Sequence, residues 1–253
     1  MQPGAALMSY WIALGALAGL IAGSFLSTLV SRWPAGRGLG GRSECDTCGR
    51  SLKAIELVPL LSYAVQRGRC RSCGTTIAAV HPIMEIMCAL VGGAALSFGP
   101  SAESCIAAVA AWLLVALAVL DLRHLWLPDR LTIIFALVAG GGGMLFAIPP
   151  APVDRIIGGA AGFLSLALVG SGYRLLRSRD GLGGGDSKLF GAIGLWLGWQ
   201  ALPLVLLAAT SLALLGVALL ALRGARVDAT LRVPLGSALA VAAIGYWFVS
   251  RAV

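Results

Sequence analysis

Two aspartates, Asp121 and Asp186, each border a long apolar run in a chain where only 11 of 253 residues are acidic. Ionisable groups at the margin of lipid-soluble sequence are costly and are retained mostly for function. Two carboxyls that meet share a proton and hold a water between them, one serving as base and the other as acid in peptide-bond hydrolysis. A second set of reactive side chains is Cys45, Cys48, Cys70 and Cys73, spaced C-x2-C-x21-C-x2-C. Two such pairs let four thiolates converge on one Zn2+ in a tetrahedron. Four thiolates leave no open position for a reacting water, so this metal is expected to fold its loop rather than catalyse.

Each group also has a plainer reading. Asp186 closes the run Gly181-Leu182-Gly183-Gly184-Gly185-Asp186-Ser187-Lys188. The glycines permit positive φ and close approach of another backbone, presenting the acid in an open groove. The alternative is a flexible loop with an N-cap aspartate before an apolar helix. Asp121 ends the apolar run from Ile106 and precedes Arg123 and His124, with which it would pair as an ordinary interfacial carboxylate. Asp129 follows Pro128 and fits a turn or helix start before Leu131. The cysteine pairs could instead form two disulfides, but a loop on the reducing side of a membrane favours metal. Cys88 and Cys105 fall in or beside apolar runs and read as small packing residues.

The elements that must position these groups are membrane helices. The chain is 58% hydrophobic and 12% charged, with mean hydropathy +0.90, and long apolar stretches recur along it. The fold class expected is an all-α polytopic membrane protein of about eight transmembrane helices with a small cytoplasmic zinc-binding loop domain. The apolar spans lie near 8–30, 82–98, 104–121, 131–148, 156–173, 188–200, 201–222 and 235–250. The segment 188–200 is short and ends near Trp199, Gln200 and Pro203, so it and its successor read as a re-entrant pair or tilted hairpin. Gly140 to Gly143, and Gly158 with Gly162, suit close helix contacts, though ordinary packing is the favoured reading of both. The organisation expected is a first helix over 1–30, a cysteine-bearing loop over 31–81 and a membrane core over 82–253.

With the N-terminus outside and eight crossings, all of the 19 Lys and Arg residues except Arg155 and Arg251 fall on the cytoplasmic side. That count includes Arg179 and Arg226. The net charge of +8 is therefore a topology signal. The basic residues are spread over four loops with no folded soluble domain to present them, which argues against a nucleic-acid partner. The first apolar run is long for a signal core, has no basic residue before it and is followed by Arg32, Arg37 and Arg42, so it is expected to remain in the membrane.

On these residues the chain resembles the type IV prepilin peptidases, membrane aspartic proteases with a GxGD motif. Gly23-Ser24-Phe25-Leu26 with Arg32-Trp33-Pro34 is similar to the family's first-helix signature, and the two Cys pairs to its zinc-binding loop. Arg67 to Gly74, followed by His81-Pro82 and Glu85, resembles the entry to its second helix. Asp121 with Leu127-Pro128-Asp129, and Gly183-Gly184-Gly185-Asp186 with Lys188-Leu189 and Gly194-x-Trp196-Leu197-Gly198, resemble its two aspartate motifs.

The resemblance implies Asp121 and Asp186 as the catalytic pair, with Gly183, Gly185, Lys188, Pro128 and Asp129 in support. It implies removal of a short basic leader from type IV prepilins or type II secretion pseudopilins at the cytoplasmic face of the bacterial inner membrane. It also implies Zn2+ on the four cysteines, and methylation of the new N-terminus with S-adenosylmethionine. The chain departs from the family in Glu56-Leu57-Val58-Pro59, where an Asn is often found before the Ile-Pro or Val-Pro, and at Arg123, where many members have an acid. Nor does Gly36 to Gly41 look like a nucleotide-binding motif. Two other classes compete: a zinc-loop methyltransferase or adaptor whose acids are structural, and a proton-coupled transporter. A transporter would place its acids near the bilayer midplane, whereas these lie at the edges of apolar spans, and no inverted repeat is visible.

Overall fold

A computed structural model describes residues 3–177, 181–224 and 231–252; Arg179 and Arg226 lie outside the described residues. The helices are α1 (Pro3–Arg32), α2 (Leu61–Val65), α3 (Val80–Leu96), α4 (Ala102–His124), α5 (Asp129–Ala136), α6 (Gly142–Leu145), α7 (Pro152–Arg177), α8 (Gly184–Leu197), α9 (Leu202–Leu222) and α10 (Leu235–Ala252). Among the described residues there is no strand, only the isolated bridges Glu44 to Ser51 and Arg69 to Thr76.

Among the described residues five segments are long and apolar enough to cross a membrane: Ala6–Ala35, Ala102–His124, Pro152–Arg177, Trp199–Leu222 and Leu235–Ala252. Three further apolar stretches are helical but shorter or interrupted. One is α3; another runs from α5 through a π-turn at Leu137–Gly141 into α6; the third is α8. Leu204, Leu207 and Leu214 on α9 are more than half exposed, as side chains facing lipid are. Helix α8 stops at Gly198, whose φ of 81° a side chain would resist. A short 3-10 turn, Trp199–Ala201, then leads into α9, where Pro203 sits in the first turn and costs no hydrogen bond.

The chain divides into two compact units, one up to Trp112 and one from Leu113 onward. In the first unit α1 and α3 cross without side chains between them. A Cβ on Gly19 would strike the Cys88 carbonyl, one on Gly15 the Gly92 carbonyl, and one on Gly23 would lie 2.7 Å from Glu85 Cα. Spaced one turn apart, these glycines make one face of α1 bare, which is how helices approach closely in lipid. Buried Ser27 on α1 bonds His81 Nδ1 on α3 at 2.8 Å, and Trp112 Nε1–H donates to the Cys88 carbonyl at 2.8 Å. Cys88 is fully buried at this crossing, as a small packing residue should be, whereas Cys105 is exposed.

In the second unit the same device joins α7 to α8. Gly158 meets the Gly194 carbonyl, and a Cβ on Gly162 would lie 2.7 Å from the Phe190 carbonyl oxygen. Trp196 on α8 sits between Phe135 of α5 at 5.9 Å and Trp247 of α10 at 6.5 Å, ring centre to ring centre, linking three helices.

The centre of this unit that sequence reasoning passed over is Arg155. It is 1% exposed, and its guanidinium donates to the carbonyls of Ile148, Pro149, Pro150, Leu195 and Trp196 at 2.7–3.1 Å and of Ala139 at 3.4 Å. The Leu195 and Trp196 oxygens lie at the end of α8, where helix geometry leaves carbonyls without an N–H; the others lie in the loop before α7 and in the π-turn, where Ala139 also accepts the Gly142 N–H. Gly143 leaves room for the guanidinium, since a Cβ there would collide with it.

Candidate functional site

Helix α10 brings the two aspartates together. Asp121, in the last turn of α4, is 5% exposed. Its Oδ2 accepts the Ser237 N–H at 2.7 Å and lies 3.1 Å from Ser237 Oγ, whose hydroxyl also lies 2.8 Å from the Ala118 carbonyl. Asp186, in the first turn of α8, is 8% exposed. The Gly236 N–H interacts with both carboxylates, and the two carboxylates act on each other directly. The first N–H groups of a helix have no partner within it and carry partial positive charge, so α10 opens onto an anion site. Two acids far apart in sequence therefore end at one helix N-terminus.

The glycines act by close approach. Gly183 has φ −67° and precedes α8, while Gly184 and Gly185 are already helical, so none of the three takes a positive φ. Asp186 is consequently not the helix N-cap. Leu127 fills the space the glycines leave: a Cβ on Gly185 would lie 2.8 Å from Leu127 Cβ, and one on Gly236 would lie 2.7 Å from Leu127 Cδ1. This leucine packs beside the acids, which is why Asp186 is buried where an open groove was expected. Pro128 is the extended N-cap of α5 and Asp129 its first residue. Lys188 Nζ takes both oxygens of Asp129 at 2.7 and 2.8 Å, tying the start of α5 to α8. Arg123 lies exposed, and the hydrogen bonds to Asp121 come from α10 rather than from Arg123 or His124.

Sequence reasoning singled out neither Gly236 nor Ser237. The available signal was Pro234-Leu235-Gly236-Ser237 at the head of the final apolar run, a helix start with small residues.

The first unit holds the cysteine site. The four Sγ atoms lie within 4.8 Å of one another, with Cys45 and Cys73 3.8 Å apart. Four sulfurs placed about 2.3 Å from a central Zn2+ would be about 3.8 Å apart, so the cluster fits that ion. The two halves share one backbone design. Gly49 N–H returns to the Cys45 carbonyl at 2.9 Å and Gly74 N–H to the Cys70 carbonyl at 3.0 Å. Both glycines have φ near 70°, which turns the chain so that both sulfurs of a pair face inward. The N–H groups of Cys73 and Ser72 hold the Cys70 thiol down to about 6, and the Thr75 N–H lowers Cys73 likewise, so both favour the thiolate a metal requires.

Glu56 and Glu85 brace this loop. Glu56 is buried, takes the Arg50 guanidinium at 2.7 and 3.1 Å and the Lys53 N–H at 2.9 Å, and is held at about 2 by Arg50. Glu85 on α3 is buried and accepts the Leu60 N–H at 2.8 Å, fixing a residue whose φ is 58°. Between loop and helices lies a cavity lined by Arg32, Glu56, Tyr63, Gln66, His81 and Glu85, among others.

The family model for the bacterial peptidase A24 N-terminal domain matches residues 17–98, and that for the type IV leader peptidase family matches residues 108–220. A protein named prepilin leader peptidase/N-methyltransferase from Aeromonas hydrophila is 39% identical over 206 residues, covering 79% of this chain and 69% of that one. Relatives with the same name from Pseudomonas putida and Pseudomonas aeruginosa are 34% and 32% identical, covering 92% and 89% of this chain and 89% and 86% of theirs. No solved structure matches the chain. With two matching models and relatives aligned over most of its length, the chain is a multi-pass membrane protein that belongs to the type IV leader peptidase family.

Proposed function

We propose that the protein removes the leader from prepilins or pseudopilins, with Asp121 and Asp186 as the catalytic pair. The observation that carries this reading is the convergence of both carboxylates on the Gly236 N–H at the start of α10. Two carboxyls that act on each other hold one proton between them. A water bound by the pair loses its proton to the ionised carboxylate as its oxygen attacks the scissile carbonyl. The protonated partner then gives its proton to the leaving amide nitrogen as the C–N bond breaks. The first N–H groups of α10, which bond the carboxylates, keep the pair in register throughout. Nothing in this sequence of steps uses the metal.

The active site and cysteine loop face the cytoplasm of an inner membrane, a reading supported by the distribution of Lys and Arg. The basic leader then stays in water while the apolar segment after it enters the bilayer. Zn2+ on Cys45, Cys48, Cys70 and Cys73 holds the loop folded. The second activity in the relatives' name, N-methylation, is carried over with S-adenosylmethionine as donor, and the cavity beside Glu85 and Tyr63 offers carboxylate and aromatic groups suited to a sulfonium cation. Incubating the full chain with a prepilin and methyl-labelled S-adenosylmethionine tests both parts. Leader loss with label on the mature N-terminus is expected; label without leader loss would leave a methyltransferase and overturn the peptidase reading.

A further inference from the structure

Two glutamates are buried in the first unit, and one of them is neutralised within it. Glu56 and Glu85 are 7% and 6% exposed, and each accepts a backbone N–H, from Lys53 and from Leu60 respectively. Glu56 is also gripped by both terminal nitrogens of Arg50. Glu85 differs: among the described residues no Lys or Arg pairs with it, and the Leu60 N–H on Oε2 is its one hydrogen bond. A carboxylate held out of water calls for a cation that brings N–H donors.

Glu85 lines the cavity between the cysteine loop and helices α1 and α3. Its second oxygen, Oε1, accepts no bond from the described residues and is not sealed in the interior, so it faces accessible space. The cavity's other charges are directed elsewhere. Arg37 pairs with Asp46, Arg32 reaches the carbonyls of Gly40 and Arg42, and Glu44 lies exposed. The position of Glu85 is also fixed. A Cβ on Gly23 would lie 2.7 Å from Glu85 Cα, so α1 presses on the α3 backbone at this residue while Oε2 is tied to Leu60. A sulfonium has no hydrogen to donate and suits an aromatic face such as that of Tyr63; a primary ammonium, with its N–H donors, suits a carboxylate oxygen.

We propose that Glu85 Oε1 binds a primary ammonium group within this cavity. The proposal rests on the methyl-transfer part of the reading above, which brings two such groups: the new N-terminus of the cleaved substrate and the amino group of S-adenosylmethionine. It makes Glu85 a binding residue with no part in peptide-bond cleavage.

The test reads equilibrium binding to the full chain in detergent, with zinc content checked. Two ligand pairs are compared: a mature-pilin N-terminal peptide, free or N-acetylated, and S-adenosylhomocysteine with or without its amino group. For the pair that supplies the ammonium, the parent is expected to bind the amine-bearing member about tenfold tighter or more, because a hydrogen bond to a charged group is lost without it. Glu85→Gln can still accept the Leu60 N–H and removes only the charge, so it should hold zinc like the parent, bring that ratio close to one and leave the other pair unchanged. The pair that responds identifies the source. A carbodiimide, which joins a carboxyl to an amine in contact with it, should link the same ligand to Glu85 in the parent, a reading that needs no variant. Ratios near one for both pairs in the parent, a ratio retained by Glu85→Gln, or links confined to other carboxyls would overturn the assignment and leave Glu85 as a brace for Leu60. No methyl label on any peptide, with the binding ratios intact, would instead contradict the methyl-transfer reading.

Discussion

A methyl group on Gly236 would sit 3.0 Å from Asp121 Oδ2 and 2.7 Å from Leu127 Cδ1, so the site needs a bare backbone there. Gly236→Ala is expected to lower kcat/KM for leader cleavage by about 10- to 100-fold, because displacing a reacting group by even part of an ångström is costly. Ser237→Ala keeps the stronger contact, its N–H, and should cost about tenfold or less. A milder effect for Gly236→Ala than for Ser237→Ala would contradict this division of labour. In the loop, Glu56 has its pKa lowered by Arg50 from 4.5 to about 2. Because the folded value is the lower one, its brace is fully present above about 4.5 and is lost as pH falls through about 2. The stability difference between the parent and Glu56→Gln, followed by amide exchange of loop residues, should therefore be largest near neutrality and vanish toward pH 2. A difference that grows on acidification would contradict the assignment.

The helices owe their arrangement to glycine and to one arginine. Gly194→Leu would drive a side chain into the Gly158 carbonyl and should destabilise the second unit by about 1–3 kcal/mol or more. Arg155→Met would leave several buried carbonyls without a donor, each worth about 1–3 kcal/mol, and is expected to abolish folded protein at ordinary temperature. Thermal unfolding in detergent reads both, and a parent-like midpoint for Arg155→Met would refute its role. Much at this scale was legible. Apolar run lengths mark the helices, Trp199, Gln200 and Pro203 mark the break after α8, and Gly158 with Gly162 allow a close crossing without singling it out from ordinary packing. What was hidden depends on partners distant in sequence. Arg155 looks like one more loop cation until six carbonyls are folded around it, and the π-turn leaves no mark beyond the run Gly140 to Gly143. The glycines before Asp186 are expected to allow both close approach and positive φ; close approach holds at Gly185, whose missing side chain Leu127 requires, and none of Gly183, Gly184 and Gly185 takes a positive φ.

On the scale of the molecule, chemistry is divided between the two units. The first carries the cysteine cluster and its braces; the second carries the aspartates and Arg155. The family models divide at a similar place, one ending at residue 98 and the other beginning at 108. If the cluster is a zinc site, the purified chain should carry about one zinc ion, and Cys48→Ser with Cys73→Ser should reduce it to background, read by elemental analysis. A closed four-thiolate site takes no part in the cleavage steps, so zinc content and aspartate chemistry are separable. The most direct test of the account is therefore leader cleavage by Asp121→Asn and Asp186→Asn, made separately and checked for zinc content and membrane insertion. Each variant should insert and hold zinc like the parent yet release no leader; cleavage by either at the parental rate would show that the two acids at the head of α10 are not the catalytic pair.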